Sequence, residues 1–233
     1  MELFKAELLK LKEMSIFQCA VFIPTITIVS SIHFYYFIKK AGGTVWQGLA
    51  TASSLIFIGM FLPMLIIYTT VMMGKIENLN NGWKQLLVMP VKRERVYLTK
   101  YLVVLLVFAV TLISYLLQYT LAAYFLGAKG MIPIEIIINI ICVFLAFQPF
   151  IILLFFLSNR FNSVVLSLGI GMMFVFSSML IVQSDYWKYA PWTYSLMISQ
   201  GGVSIMPLII VSLIIFAAIF SFYIVSFKKK DII

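Results

Sequence analysis

The side chains best suited to move protons, hold a metal or attack a substrate are scarce in this chain of 233 residues: one histidine, His33, two cysteines and eight carboxylates. A zinc-hydrolase pattern needs two histidines one helical turn apart with a glutamate between them, and most serine or cysteine nucleophiles need a histidine base. His33 stands alone near the end of an apolar run, where an interfacial ring is its simplest role. Cys19 and Cys142 fall inside apolar runs with no metal-binding spacing, so each reads as a small hydrophobe. No Gly-rich loop ending in Gly-Lys-Ser/Thr is present to cradle a nucleotide phosphate. The chain is therefore expected to be noncatalytic and to hold no metal or cofactor of its own.

The chemistry that remains is hydrogen bonding in apolar surroundings. Gln18, Gln118, Asn139 and Gln148 interrupt long apolar runs, and an amide turned to lipid would leave several polar groups unmet. They are expected to face protein or water, either bonding across helices or lining a substrate path. Glu135 follows Pro133 at the start of another run. Proline in a first turn and a carboxylate near the positive end of the helix dipole both stabilise a helix, and the same carboxylate could meet a cationic cargo. No Asp, Lys or Arg is expected within the runs, so a strongly hydrated solute would find few groups to replace its water.

The elements that must position these residues are six apolar runs, at about 16–38, 49–73, 101–126, 132–157, 164–182 and 203–227. Each reaches the roughly 20 residues that an α-helix needs to cross a ~30 Å hydrocarbon core. The chain is 63% hydrophobic and 11% charged, which excludes an ordinary soluble domain. No alternating strand pattern occurs, so the expected fold is an all-α membrane protein forming a single transmembrane domain over 1–233. Pro24, Pro63 and Pro149 are expected to kink their helices, and Ser163, Ser167 and Gly171 offer a small-residue face to a neighbour. Charge interleaved with leucine over 2–12, with no small-residue cleavage site after the first run, reads as no cleavable signal peptide.

The net charge of +9 reads as an orientation signal. With the N-terminus inside, thirteen of the seventeen Lys and Arg fall in the N-terminal segment, 74–100, the loop at Arg160 and the C-terminal tail. The positive-inside rule then puts both termini in the cytoplasm, and nucleic acid is not an expected partner.

Three segments outside the runs carry further pattern. Residues 2–14 place Phe4, Leu8 and Leu11 on one face, with Leu9 off it, and read as a helix lying in the inner interface or a lead-in to the first span. In the loop 74–100, Trp83, Leu86, Leu87 and Val88 form a short amphipathic stretch that Pro90 ends. A new helix starts near Lys92 and runs into the third span, with Lys92, Arg93 and Arg95 as a basic rim. A lipid-binding basic loop fits equally well. In the outer loop 183–202, Tyr186, Trp187, Tyr189, Trp192 and Tyr194 cluster around Pro191, as an aromatic belt in the headgroup layer or as part of a ligand path. The loop 74–100 has 27 residues, too few for an ATPase domain of ~100 or more.

The AELLKLK segment, the ENLNNGWKQLLVMPVKRERVYLTKYL stretch and six spans with an aromatic loop before the last resemble the permease subunit of an ABC exporter of the ABC-2 type. The second stretch is the most specific: an acidic residue, Trp-x-x-Leu-Leu, Pro-Val and Tyr-Leu-x-Lys in succession. The chain is similar in particular to lantibiotic-immunity permeases and exporters of phenol-soluble modulins, and PWTY at 191–194 resembles the former. The resemblance implies a coupling helix at 77–89, with Glu77, Trp83, Leu86, Leu87, Pro90 and Arg93 meeting a cytoplasmic ATPase. It also implies re-entrant helices at 183–202. The candidate substrate path uses Gln18, Gln118, Glu135, Gln148, Trp187 and Trp192. The expected assembly is two permeases, identical or related, with two ABC ATPase subunits that bind ATP and Mg, in the lipid of a bacterial cytoplasmic membrane. The expected cargo is an amphipathic or antimicrobial peptide. The alternatives are a drug or lipid-like cargo, a non-transporting scaffold, or a membrane enzyme.

Overall fold

A computed structural model describes residues 2–13, 15–38, 44–78, 93–161, 163–201 and 203–228, and among these there is no strand. The elements are α1 (Glu2–Glu13), α2 (Ile16–Ile38), α3 (Val45–Ile56), a π-helical turn (Phe57–Phe61) and α4 (Leu62–Asn78). They continue with α5 (Arg93–Phe125), α6 (Ile134–Ala146), α7 (Gln148–Arg160) and α8 (Val164–Ile181). Two 3₁₀ turns (Asp185–Tyr189 and Pro191–Thr193), α9 (Tyr194–Gln200) and α10 (Ile205–Lys228) complete the order. Six stretches are long and apolar enough to cross a membrane: Ile16–Tyr36, Val45–Lys75, Arg95–Phe125, Ile134–Ser158, Val164–Ile181 and Ile205–Phe222.

Two of the expected kinks have distinct causes. Pro63 follows the π-helical turn within the second span, and the extra residue there accommodates a position that cannot donate to the preceding turn. The fourth span breaks at Phe147, just before Pro149, so that α6 and α7 are separate helices. Side chains answer the break. Gln148 Nε2 donates to Phe144 O at 2.8 Å, and Ser212 Oγ, from α10, donates to Ala146 O at 3.2 Å.

The second, third and fourth spans form the core, while most of the last faces outward: 11% of its apolar window is buried, against 61% for the second. Helix α2 packs on α3 and α5, α4 on α7 and α8, and α10 on α6 and α7. Small residues let these helices approach closely. A Cβ on Gly171 would meet Ile67 Cγ2 at 2.8 Å, and one on Gly74 would collide with Ser158 Oγ. Ser167 and Gly171 therefore face α4, whereas Ser163 caps α8 by accepting from Leu166 N at 3.3 Å.

Helix α5 has 33 residues, about 50 Å, which exceeds the ~30 Å core. Its first three turns bury Val96, Tyr97, Lys100 and Tyr101, which occupy one helical face. Lys100, one residue before the run at 101–126, is therefore buried in the packed first part of this helix.

Candidate functional site

Two polar regions occupy opposite ends of the bundle. At the end where α5 begins, α1 packs against α5 and α2. Leu11 is fully buried, with Phe4 and Leu8 partly buried on the same face, and Leu9 is exposed as its position off the stripe predicts. Glu7 is buried on that face. Its Oε2 accepts from Lys100 Nζ at 2.9 Å, and its Oε1 accepts from Lys10 Nζ at 2.9 Å. Lys100 is 2% exposed, so the pair is shielded from water and removal of one partner would leave a stranded charge. Beside α1 and the start of α2 lies an apolar cleft of about 560 Å³, lined by Leu8, Leu9 and Phe17 with Lys5 at its edge.

Of the residues assigned to the coupling stretch, Glu77 falls in the last turn of α4 and Arg93 opens α5. Trp83, Leu86, Leu87 and Pro90 lie outside the described residues. The buried pair thus holds α1 to the helix that leaves this stretch, seven residues beyond Arg93.

At the other end an aromatic ladder fastens α3 to α5. Trp46 meets Tyr124 edge-on at 5.5 Å and Tyr119 at 6.0 Å, Tyr119 meets Tyr115 at 6.1 Å, and Tyr115 stacks on Phe57 at 4.1 Å. Hydrogen bonds lock the ladder: Tyr119 Oη donates to Trp46 O at 2.5 Å, and Tyr115 and Ser53 hydroxyls are 2.6 Å apart. Next to the ladder is a chamber of about 190 Å³ between α3, α5, α6 and α9, with Glu135, Asn139, Thr51 and Ser199 among its polar lining.

The remaining assigned residues separate into structural and open groups. Gln118 Nε2 donates to Val21 O at 3.1 Å and to Ser114 Oγ at 3.0 Å, tying α5 to α2. Gln148 accepts from the Tyr101 hydroxyl as well as serving the helix break. Asn139 Nδ2 donates to Ile198 O at 3.2 Å and so holds α9 on α6. Gln18 is exposed near the start of α2 and joins neither polar region.

Trp192 packs edge-on against Phe174 of α8 at 4.8 Å, and Trp187 meets Tyr194 edge-on at 6.5 Å, beneath Lys188 Nζ at 6.0 Å from its ring centre. The segment around them is compact: Thr193 Oγ1 donates to Ala190 O at 2.7 Å, and Tyr194 Oη donates to Lys188 O at 2.6 Å. Burial pushes the Tyr194 phenol above its usual range, which keeps it a donor. Leu196 of α9 reaches the π-helical turn, where a Cβ on Gly59 would meet it at 3.2 Å.

Sequence reasoning assigned no role to Glu7, Lys100, Tyr115, Tyr119 or Ser53. Glu7 and Lys100 did stand in the two stretches with the strongest resemblance, AELLKLK and Tyr-Leu-x-Lys, and that was the available signal.

The described residues form a helical bundle with six candidate membrane spans and polar groups gathered toward its two ends. Residues 3–178, three quarters of the chain, match the family model described as ABC-2 family transporter protein, and the chain belongs to that family. It is an ABC-2 permease, and membership implies partnership with an ABC ATPase and often with a second permease. Comparison with curated proteins returns no match, and comparison with solved structures returns none.

Proposed function

We propose that this chain is the permease subunit of an ATP-driven exporter that expels amphipathic or antimicrobial peptides from a bacterial cytoplasmic membrane, in the manner of lantibiotic-immunity permeases and phenol-soluble-modulin exporters. Both termini face the cytoplasm. A second permease, identical or related, completes the path, and two ATPase subunits bind ATP and Mg and dock on the stretch around Trp83, Leu86 and Leu87. The observation that carries this reading is the buried Glu7–Lys100 pair. A displacement delivered to the start of α5 reaches α1 through a contact that is costly to break, and the two helices then move as one body.

The cargo class rests on the cleft beside α1. Its walls are apolar, and it suits the apolar face of a molecule already dissolved in the inner leaflet better than a hydrated solute. Glu135, Trp187 and Trp192 stand at the opposite end, where cargo would leave.

The test is reconstitution with the ATPase. Short amphipathic helical peptides should stimulate hydrolysis, and cells carrying both chains should survive higher doses of them. Stimulation by a sugar or an inorganic ion, with no effect of the peptides, removes the peptide assignment. Leu86→Glu with Leu87→Glu should abolish co-purification of the ATPase while leaving insertion intact. Cysteines at positions 84 and 188 report orientation, and labelling of 84 but not 188 by an impermeant reagent in intact cells reverses the topology.

A further inference from the structure

The chamber beside the aromatic ladder has an unequal stock of donors and acceptors. Tyr119 Oη donates to Trp46 O, Thr51 Oγ1 to Gln47 O and Gly48 O, Ser199 Oγ to Leu196 O, and Asn139 Nδ2 to Ile198 O. Tyr115 and Ser53 share a hydrogen bond in which one hydroxyl donates to the other. Thr51, Tyr119 and Ser199 have thus committed their hydroxyl protons to the protein and keep lone pairs free to accept, while Ser54 adds a hydroxyl that can accept or donate. Glu135 adds a full negative charge, and neither Lys nor Arg is among the described lining residues. Lys129, whose carbonyl accepts from Trp46 Nε1, is exposed and does not line the chamber. Ile58, Ile136 and Ile140 supply an apolar wall.

We infer that this chamber binds a primary ammonium group on an alkyl stem, the end of a lysine side chain. The ammonium carries three donors and a charge, which the acceptor-rich lining and Glu135 complement, while its methylenes cover the isoleucine wall. The volume, about 190 Å³, is enough for one lysine side chain and too little for a helical peptide. The inference deepens the peptide-export reading and rests on it for physiological meaning. It makes the exported peptides cationic and places a lysine-capture step at the α6 end of the path, separate from the apolar cleft beside α1. The helix dipole of α6 also favours Glu135, but that role makes no distinction among ligands.

The test uses the permease–ATPase complex in nanodiscs of zwitterionic lipid, to avoid attraction of cations to the bilayer. A fluorescent amphipathic helical peptide bearing lysines, and its Nε-acetylated form, are titrated by anisotropy. The wild type should bind the lysine form ~10-fold more tightly, the worth of one charge-assisted hydrogen bond. Glu135→Gln should abolish that preference and Glu135→Asp should retain most of it. A preference that survives Glu135→Gln overturns the inference, even where both peptides stimulate hydrolysis and the export reading stands. Thermal shifts with octylammonium and octanol separate the two readings from the other side. A stabilisation by octylammonium alone, lost in Glu135→Gln, supports the chamber even if peptides leave hydrolysis unchanged and the export reading fails. Equal shifts in both proteins overturn it.

Discussion

Glu7 and Glu135 are both carboxylates at the margin of an apolar bundle, yet Glu7 is closed against two lysines at 2.9 Å while Glu135 is exposed at a chamber and makes no ion pair among the described residues. The lysines face the same contrast: Lys100 is buried with its partner, and Lys129 and Lys188 are exposed. A charge sealed with its counter-charge can hold two helices in register but can greet no ligand. A charge beside empty space contributes little to holding helices and is available to whatever fills that space. Burial and partnership, not residue type, divide the sealed end of this permease from the open one.

The largest expected effect tests the sealed end. Lys100→Met leaves the Glu7 carboxylate buried without its interhelical partner, at a cost of about 3–5 kcal/mol. In detergent the unfolding midpoint should fall by on the order of 10 °C. The double variant Glu7→Leu with Lys100→Met removes both charges and should recover most of that loss, since an apolar pair of similar volume packs without desolvation. A single variant as stable as wild type would mean that water reaches the pair, and the contrast with Glu135 would collapse.

Between the two polar ends the helices approach closely at small residues, and the next effect is steric. Gly171→Val adds atoms where even a Cβ would sit 2.8 Å from the buried Ile67, so overpacking should cost about 1–3 kcal/mol. Ile67→Ala placed in the same chain should restore part of it. The absence of rescue, measured by thermal unfolding, would show that α8 does not press on α4 at this point.

How much of this was legible follows from the range of each interaction. The six spans could be read because hydropathy is local and each run is long enough to cross. The face of α1 could be read for the same reason, including the exclusion of Leu9. Pro63 and Pro149 marked the distortions, although a proline does not announce whether a π-helical turn or a full break results. The Glu7–Lys100 pair could not be read, because its partners lie 93 residues apart and each resembles an ordinary charge in a basic segment. Tyr115 and Tyr119 were hidden in an apolar run where a tyrosine facing lipid looks the same. Asn139 and Gln148 stand out in the sequence as costly polar groups and Glu135 as a first-turn carboxylate, but only tertiary contacts reveal that Gln148 serves a broken helix and Glu135 faces a cavity.

A smaller effect belongs to the break in the fourth span. Ser212→Ala removes the only hydroxyl from α10 that donates to Ala146 O among the described residues, and should cost about 1 kcal/mol. Thermal unfolding of the variant measures it. A loss as large as that of Lys100→Met would mean that the break, rather than the sealed ion pair, is where the bundle is most easily opened.

The smallest effect on stability is expected at Glu135, and it decides the comparison. Glu135→Gln keeps the shape of the side chain and removes a charge that is exposed in the first turn of α6, where the dipole interaction is worth about 0.3–1 kcal/mol. The unfolding midpoint should therefore move by a few degrees at most, while the lysine preference of the assembled permease–ATPase complex disappears. Lys100→Met should show the reverse, with a large loss of stability and the ratio of lysine to acetyl-lysine peptide affinity unchanged in whatever folded protein remains. If Glu135→Gln unfolds the bundle as readily as Lys100→Met does, Glu135 is tied into a structural pair of its own. The chamber is then a packing defect beside a stabilising charge, and the division between a sealed end and an open one is lost.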